Sequence, residues 1–365
     1  MVAFVGRTAE RTAIRDALRD RAGILVVGEP GAGKSRLLAE AVRGPGVVRV
    51  SGAGPQIAFG AFAHLLSGEP QGLNPVRWAA GQIEAEVLVV DDAHLLDPHS
   101  AALVGHLAEH YGVRLAAAAV SGAALPRPLV ELWKEGRLAR LDLGPLPAPD
   151  SARLLSLALG GQVEGLTSRR LWHATRGNAR FLVELVTSGP FVHSGGLWRW
   201  PGEIVLTERL RLLVEAAIGE VDEQERSVLE YVAFGEPLEL ATLIELAGTE
   251  PVERMERRGL ISVGEQPLRV QLAHPLYAQV IRTWTGPVRT RGHLARVIPF
   301  SSGDQQISEL SGREKEIARL ASWNLTNREI ADLLTVSPRT VGNHLCRIYS
   351  KLGVNHRLDL ARLLA

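Results

Sequence analysis

The sequence predicts an α/β domain built on a parallel sheet, followed by smaller domains and closed by an all-α domain. Two observations carry this. Over residues 1 to about 145, short β-rich runs alternate with helical patterns, which argues for an αβα arrangement with helices on both faces of a parallel sheet. Over 309–365 every periodic stretch has helical spacing, and each start is marked by a cap. With 365 residues the chain has room for two or three domains.

The elements follow in order. "GILVVG", "GVVRVSG", "EVLVVDD", "RLAAAAVSG" and "LARLDL" read as strands. "GKSRLLAEAV", "PHSAALVGHLAEHYG" and "PLVELWKEG" lie between them with helical spacing. This domain is assigned to 1–146. From 147 the pattern is helical only, and "GPFVHSGGLWRWPGE" then reads as a turn-rich hairpin, so 147–204 is a helical lid with a hairpin. Several short helices and the run "GLISVGEQPLRVQLA" give 205–298 the look of a winged helix, the run being its wing. "PFSSGDQQIS", within a linker at 299–308, is polar, and 309–365 holds four short helices.

Totals exclude several classes. With 46% hydrophobic and 22% charged residues the composition is that of globular proteins. A net charge of +1 gives no global field toward nucleic acid or membrane, so any basic surface must be local. Cys346 is the one cysteine, which excludes an internal disulfide and a Cys-rich zinc site. The N-terminus turns charged and amphipathic at once, unlike a signal peptide. No apolar run reaches the roughly eighteen residues of a membrane span. A soluble, cytoplasmic protein is expected, with no membrane partner. Apart from Lys34, Lys134, Lys315 and Lys351 the cations are arginine, which suits a GC-rich bacterial genome.

"ILVVGEPGAGKSRLL" sets Gly28-x-x-x-x-Gly33-Lys34-Ser35 between a strand and a helix, the phosphate-loop pattern in its required context. Glycines let backbone amides close around phosphates; Gly28, Gly31, Ala32, Gly33 and Arg36 belong to that cradle. Lys34 would reach the β/γ-phosphates and the Ser35 hydroxyl would ligate Mg²⁺. The alternative is a Gly-rich strand–helix turn with a chance Lys–Ser. Asp91 ends an apolar strand, where open α/β sheets bind ligands, and suits a second metal ligand. Asp92 is either a catalytic base or a solvated or capping carboxylate. As a base it reaches one methylene less than Glu, and misplacement near 1 Å can cost about 10²-fold in rate, so slow hydrolysis is expected.

"FVGR" at 4–7, the phosphate loop and "VVDDAHLLD" together resemble the AAA+/STAND class of signalling ATPases over roughly residues 1–285. The resemblance implies ATP or ADP with Mg²⁺ as ligand, and roles at the nucleotide for Val5, Gly6 and Arg7. Ser121 stands where many relatives place an Arg that senses the γ-phosphate. "GNARFL" resembles the lid motif Gly-x-Pro, with Asn178 in it and Ala179 in place of Pro. His274 resembles a winged-helix His that touches ADP in some relatives; its own residues read equally as a core or capping His.

The C-terminal stretch parses from its caps. Ser311-x-x-Glu314 and Thr326-x-x-Glu329 are capping boxes, and Ser337 before Pro338 is an N-cap with Pro at the first helical position. Asn355 begins a fourth helix. Plotted at about 100° per residue, the third helix puts Val341, Leu345, Ile348 and Leu352 on one stripe. Thr340, Asn343, Arg347 and Lys351 fall opposite, with His344 at the edge. In 338–365 five cations (Arg339, Arg347, Lys351, Arg357, Arg362) face Asp359 alone. Such a face suits a recognition helix in the major groove of double-stranded DNA, or is a solvated polar face. Arg347 and Asn343 suit bidentate base contacts and Lys351 a phosphate.

"LSGREKEIARLASWNLTNREIADLLTVSPRTVGNHLCRIYSKLGV" is similar, nearly throughout, to the LuxR-type DNA-binding domain. Glu314, Leu320, Asn327, Glu329, Ile330, Ala331, Ser337, Thr340, Val341, Asn343, His344, Leu352 and Gly353 match its framework. Gly342 takes a position often filled by Lys, and Asn324 replaces a common turn Gly. The whole resembles the large ATP-binding LuxR regulators of bacteria, without their usual helical repeats. It implies operator DNA as partner, a homodimer on it, contact with RNA polymerase, and DNA contacts from Asn327, Arg339, Thr340, Asn343, His344, Arg347 and Lys351. Three functions follow: a transcription factor gated by ATP or ADP, an AAA+ ATPase remodelling a nucleic-acid complex, and a scaffold whose reader ignores nucleotide.

Overall fold

Six consecutive buried residues, Gly23–Gly28, form β1. Such a run fits a strand covered on both faces. With Val47–Ser51 (β2), Val87–Asp91 (β3), Arg114–Val120 (β4) and Leu138–Leu143 (β5) it makes a five-stranded sheet in the order β2-β3-β4-β1-β5. All neighbouring pairs are parallel, so the chain must cross over between strands. The structure, a computed structural model, describes residues 4–20, 23–54, 56–69, 74–200, 204–264, 268–286, 289–290, 292–293, 310–322 and 325–352.

Side chains alternate between two apolar layers. Leu25, Val27, Leu88, Val90, Ala117 and Ala119 enter one core with Phe62, Leu103, Leu107 and Leu129. Ile24, Val26, Val87, Val89, Ala116 and Ala118 enter the other with Ile14, Leu37 and Leu38. The helices on the first face include α3 (Pro75–Ala80), α4 (Pro98–His110) and α5 (Arg127–Lys134); those on the second are α1 (Thr8–Arg19) and α2 (Lys34–Ala41). α1, α3 and a 3₁₀ turn at Gly60–Phe62 are elements that the sequence reading did not delimit.

The helical lid is α6 (Ala148–Leu159), α7 (Gly165–Thr175) and α8 (Ala179–Ser188), and β6 (Val192–Ser194) with β7 (Leu197–Arg199) forms the expected hairpin. Then comes α9, Glu208–Ile218. The chain divides into two compact units between Leu213 and Val214, inside α9.

The second unit holds α10 (Glu223–Gly235), β8 (Leu238–Glu239), α11 (Leu240–Ala247), α12 (Thr249–Arg257), β9 (Ile261–Val263), β10 (Arg269–Leu272) and α13 (Pro275–Trp284). Its sheet is antiparallel in the order β8-β10-β9, and β9 with β10 is the wing. The C-terminal helices are α14 (Gly312–Ser322), α15 (Asn327–Leu334) and α16 (Pro338–Leu352). The expected linker at 299–308, the helix from Asn355, and Asn324, Gly353, Arg357, Asp359 and Arg362 lie outside the described residues. No described helix is long and apolar enough to cross a membrane.

Candidate nucleotide and nucleic-acid sites

The phosphate loop joins β1 to α2. Gly31 and Gly33 have φ of 82° and 98°, the region that glycine enters without steric cost. No atom lies within 4 Å of where a Cβ on Gly33 would stand, so the loop opens onto free space there. Lys34 is 6% exposed, and its ammonium donates to the carbonyls of Gly28 (2.8 Å) and Glu29 (2.9 Å). Burial pushes its pKa down, while Asp92, Asp91 and Glu29 oppose the shift. Since β4 separates β1 from β3, Asp91 ends about 10 Å across the sheet from the end of β1. Both charges act on the Lys34 ammonium, but Asp92 alone of the two lines the same cavity as the lysine.

Asp92 has φ 45° and ψ 47°, left-handed and uncommon outside glycine. Its amide donates to Asp91 Oδ1 at 3.1 Å. This turn sends the chain from β3 into the 3₁₀ turn Ala93–Leu95. His94 in that turn was not singled out from the sequence. Burial pushes its pKa down, Asp92 opposes, and Lys34 adds to the push. Its Nδ1 is buried without a hydrogen-bond partner among the described residues. Asp97, also missed, accepts amides from Phe59, Gly60, His99 and Ser100, and so ties the start of α4 to the 3₁₀ turn at 60–62. Burial works against its charge, but these bonds hold its pKa below the usual carboxylate range. Asp followed by Pro98 is a helix-start signal that could have found it.

A cavity of about 470 Å³ opens over the loop. Val5, Arg7, Gly31, Ala32, Gly33, Lys34, Ser35 and Arg36, expected at a nucleotide, line it together with Asp92, expected as a catalytic base. Gly6 lies between Val5 and Arg7 at φ 67°, with a would-be Cβ against the Asp150 carboxylate. Arg7 is braced by Glu10 at 2.8 Å and by the Gly144 carbonyl. The lid adds Arg180 and Glu184 from α8, and Arg209 follows from α9, Arg209 pairing with buried Glu184 at 3.0 Å. Arginines 7, 36, 180 and 209 with Lys34 outnumber Asp92 and Glu184 in these walls, which favours an anion. Phe4, Leu146, Leu154, Val183 and Leu213 supply an apolar side, as an aromatic base requires. The residues present therefore fit a nucleotide.

Gly28 and Asp91 do not line this cavity, and two further expectations sit differently. Asn178 does not line this cavity. It caps α8, accepting from the amides of Arg180 and Phe181, and donates to the Pro30 carbonyl at 2.8 Å. It shapes the loop from behind. His274 lies in the second unit, where it is buried and its Nδ1 accepts the Leu276 amide at 3.2 Å as the N-cap of α13. The capping alternative describes it. Ser121 lines a smaller neighbouring cavity with Asn178, while Val120 faces the main one.

The C-terminal helices follow their caps. Ser311 and Glu314 exchange both bonds of a capping box, as do Thr326 and Glu329. The Ser337 hydroxyl accepts the Thr340 amide at 3.1 Å and meets the Thr340 hydroxyl at 2.8 Å. Thr335 ends α15 in the left-handed region at φ 55°, and the next amide, Val336, returns to Ala331. Val341, Leu345 and Ile348 are buried in the domain core, with Leu352 packed against it. Arg339, Asn343 and Arg347 are exposed, Thr340, His344 and Asn327 half-buried. His344 Nδ1 is buried without a partner among the described residues. Lys351 is not simply solvated: its ammonium meets Glu314 at 2.7 Å, bracing the end of α16 on the start of α14. That contact, the Ser311 amide and the Ser311 hydroxyl hold the Glu314 pKa down at about 2, against its burial.

Residues 308–364 match the family model of the bacterial regulatory proteins of the luxR family. Over 51 residues the chain is 47% identical to an HTH-type transcriptional regulator of Mycobacterium tuberculosis, a match covering 14% of this chain and 6% of that protein. Over 60 residues it is 40% identical to the Fimbriae Z protein of Escherichia coli, covering 16% and 29%. The chain thus spans less than a third of either relative. The Walker-type ATPase PABY2304 of Pyrococcus abyssi superposes with a TM-score of 0.50 at 14% identity, over 76% of this chain and 96% of that one. That likeness is one of fold. The chain carries a LuxR-type helix-turn-helix behind a P-loop ATPase fold.

Proposed function

We propose that the chain is a DNA-binding transcription regulator whose helix-turn-helix is gated by ATP or ADP with Mg²⁺. The observation that carries this reading is one chain holding both a LuxR-family reader with exposed Arg339, Asn343 and Arg347, and an anion-favouring cavity lined by Lys34, Ser35 and Asp92. Arg347 and Asn343 would read base edges in the major groove, and Arg339 would meet phosphate. A dimer on its operator and contact with RNA polymerase belong to the same reading.

In the nucleotide site the loop amides and Lys34 would hold the phosphates, and Ser35 with Asp91 would hold Mg²⁺. Bound nucleotide supplies an anhydride bond and a terminal phosphate that distinguishes two states. Asp92 would orient water, slowly. A ligand shifts a conformational balance only by its different affinity for the two states, so a switch tolerates slow turnover.

The test uses a duplex selected by the protein from a random pool. Its affinity is measured with ATP, with ADP and without nucleotide, and nucleotide affinity is measured with and without the duplex. Gating requires the same coupling factor in both directions. Equal duplex affinity in all three conditions removes the gating. Nucleotide binding that is identical in Lys34→Ala removes the site.

A further inference from the structure

α10 carries Arg226, Glu230 and Phe234 at four-residue spacing, so the three stand on one face, a turn apart. The first two belong to a charge cluster within the winged-helix region. Glu230 is fully buried and accepts from Arg226 Nε at 3.0 Å and Arg289 Nε at 2.6 Å, and its Oε2 lies 2.8 Å from His293 Nε2. Arg289 reaches Glu223 as well, at 2.6 Å. The chain leaving α13 is thereby fastened to α10 shortly before it runs on to the reader.

One turn further along, Phe234 does something different. It is 3% exposed, yet the apolar cluster that buries it is the reader's: Leu310, Ile317, Leu320, Leu325, Ile330 and their neighbours. Beside it, half-buried Arg282 of α13 donates Nε and Nη2 to the Ala233 carbonyl at 2.9 and 2.7 Å. Burial lowers the pKa of Arg282, and the carboxylates opposing that shift are Glu329, at the start of α15, and Glu236. An aromatic wedge and a cation thus meet the reader from the winged-helix side. Arg339, Asn343 and Arg347 remain exposed on α16.

We propose that the C-terminal turn of α10, with Arg282 beside it, is a docking site for the chain's own helix-turn-helix. It engages the reader through its core and the Glu329 end of α15, and leaves the recognition face free. The reader and the winged-helix region then move as one body, and the contact places the reader without blocking it. This inference does not rest on nucleotide gating.

The test is amide hydrogen exchange on the full chain. In Phe234→Ser, exchange in α14 and α15 should rise about ten-fold, while α12 and α13 keep their protection. Phe234→Leu, which refills the pocket, should restore most of it. Unchanged exchange in α14 and α15 with Phe234→Ser overturns the proposal. If that variant also loses protection across 223–284, it has unfolded the winged-helix region, and Glu329→Arg decides. That change sets like charge against Arg282 from the reader's side. Faster exchange at 230–236 supports docking; unaltered exchange there rejects it.

Discussion

Asn178 and Pro30 join the lid to the phosphate loop: the Asn178 Nδ2 donates to the Pro30 carbonyl at 2.8 Å while its Oδ1 caps α8. The Arg180 amide donates to the Gly31 carbonyl at 3.2 Å. A Cβ on Gly31 would stand 2.5 Å from Asn178 Oδ1, so the loop and the cap fit only with glycine there. Asn178→Ala should cost about 1 kcal/mol in the cap and weaken nucleotide binding about ten-fold through the loosened loop. Asn178→Asp keeps the cap and loses the donor. If calorimetry gives Asp the wild-type affinity, the contact with Pro30 does not shape the site.

Lys34→Ala should reduce ATP and ADP affinity between about ten- and a hundred-fold, the scale of a lost charged hydrogen bond. The circular dichroism spectrum should stay that of wild type. Titration calorimetry checks the first and melting the second.

Asp92 sits at φ 45°, where Asp and Asn are tolerated far better than longer side chains. Asp92→Asn should therefore keep stability and nucleotide affinity and lower phosphate release, which the proposed switch sets well under the median turnover of about 10 s⁻¹. Asp92→Glu should lose roughly 1 kcal/mol of stability, visible as a lower Tm. A Glu variant as stable as wild type would show that the backbone does not favour the shorter side chain.

In the reader, Arg347→Ala should relax sequence preference at one base pair by about 1–3 kcal/mol, read from selected against mismatched duplexes. Lys351→Ala should act in two ways, weakening all duplexes alike and lowering the melting point of the reader by releasing Glu314. Glu314→Gln should reproduce the melting effect. A Lys351→Ala protein with unchanged melting confines that residue to phosphate contact.

Acid sensitivity follows from two carboxylates. Burial raises the pKa of Glu230, but His293 and Arg226, with the charge of Arg289, bring it down to about 2, and Glu314 stands at about 2 as well. Both folded values lie below the usual 4.5, so the stability they contribute is complete above pH 4.5 and is lost as pH falls from there toward 2. Melting temperature should be flat from pH 7 to about 5 and fall below it. Glu230→Gln should flatten that fall.

Much of this was legible in the chain. The central strands β1, β3 and β4 announce themselves as apolar runs because both sheet faces are covered there, and the caps of α14, α15 and α16 are written in Ser311, Thr326 and Ser337. That Val5, Arg7, Lys34 and Asp92 share a cavity was legible because their motifs fix them locally. Arg180, Glu184 and Arg209 were not, since only the packing of the lid and α9 brings them to the cavity. Phe234 and Arg282 were invisible for the same reason: each reads as ordinary helix, and its partner lies far along the chain. Asn178 was found through a motif but its role was not, because a cap and a ligand contact use the same side chain.

Thr335 closes α15 at φ 55°, a backbone region that suits β-branched side chains poorly, by roughly 1 kcal/mol or more. Asparagine accepts that conformation more readily, and threonine and asparagine codons can differ by a single base. A lineage could thus harden its reader in one mutational step that leaves the exposed Arg339, Asn343 and Arg347 untouched. The turn is a place where thermal tolerance can evolve apart from the recognition helix.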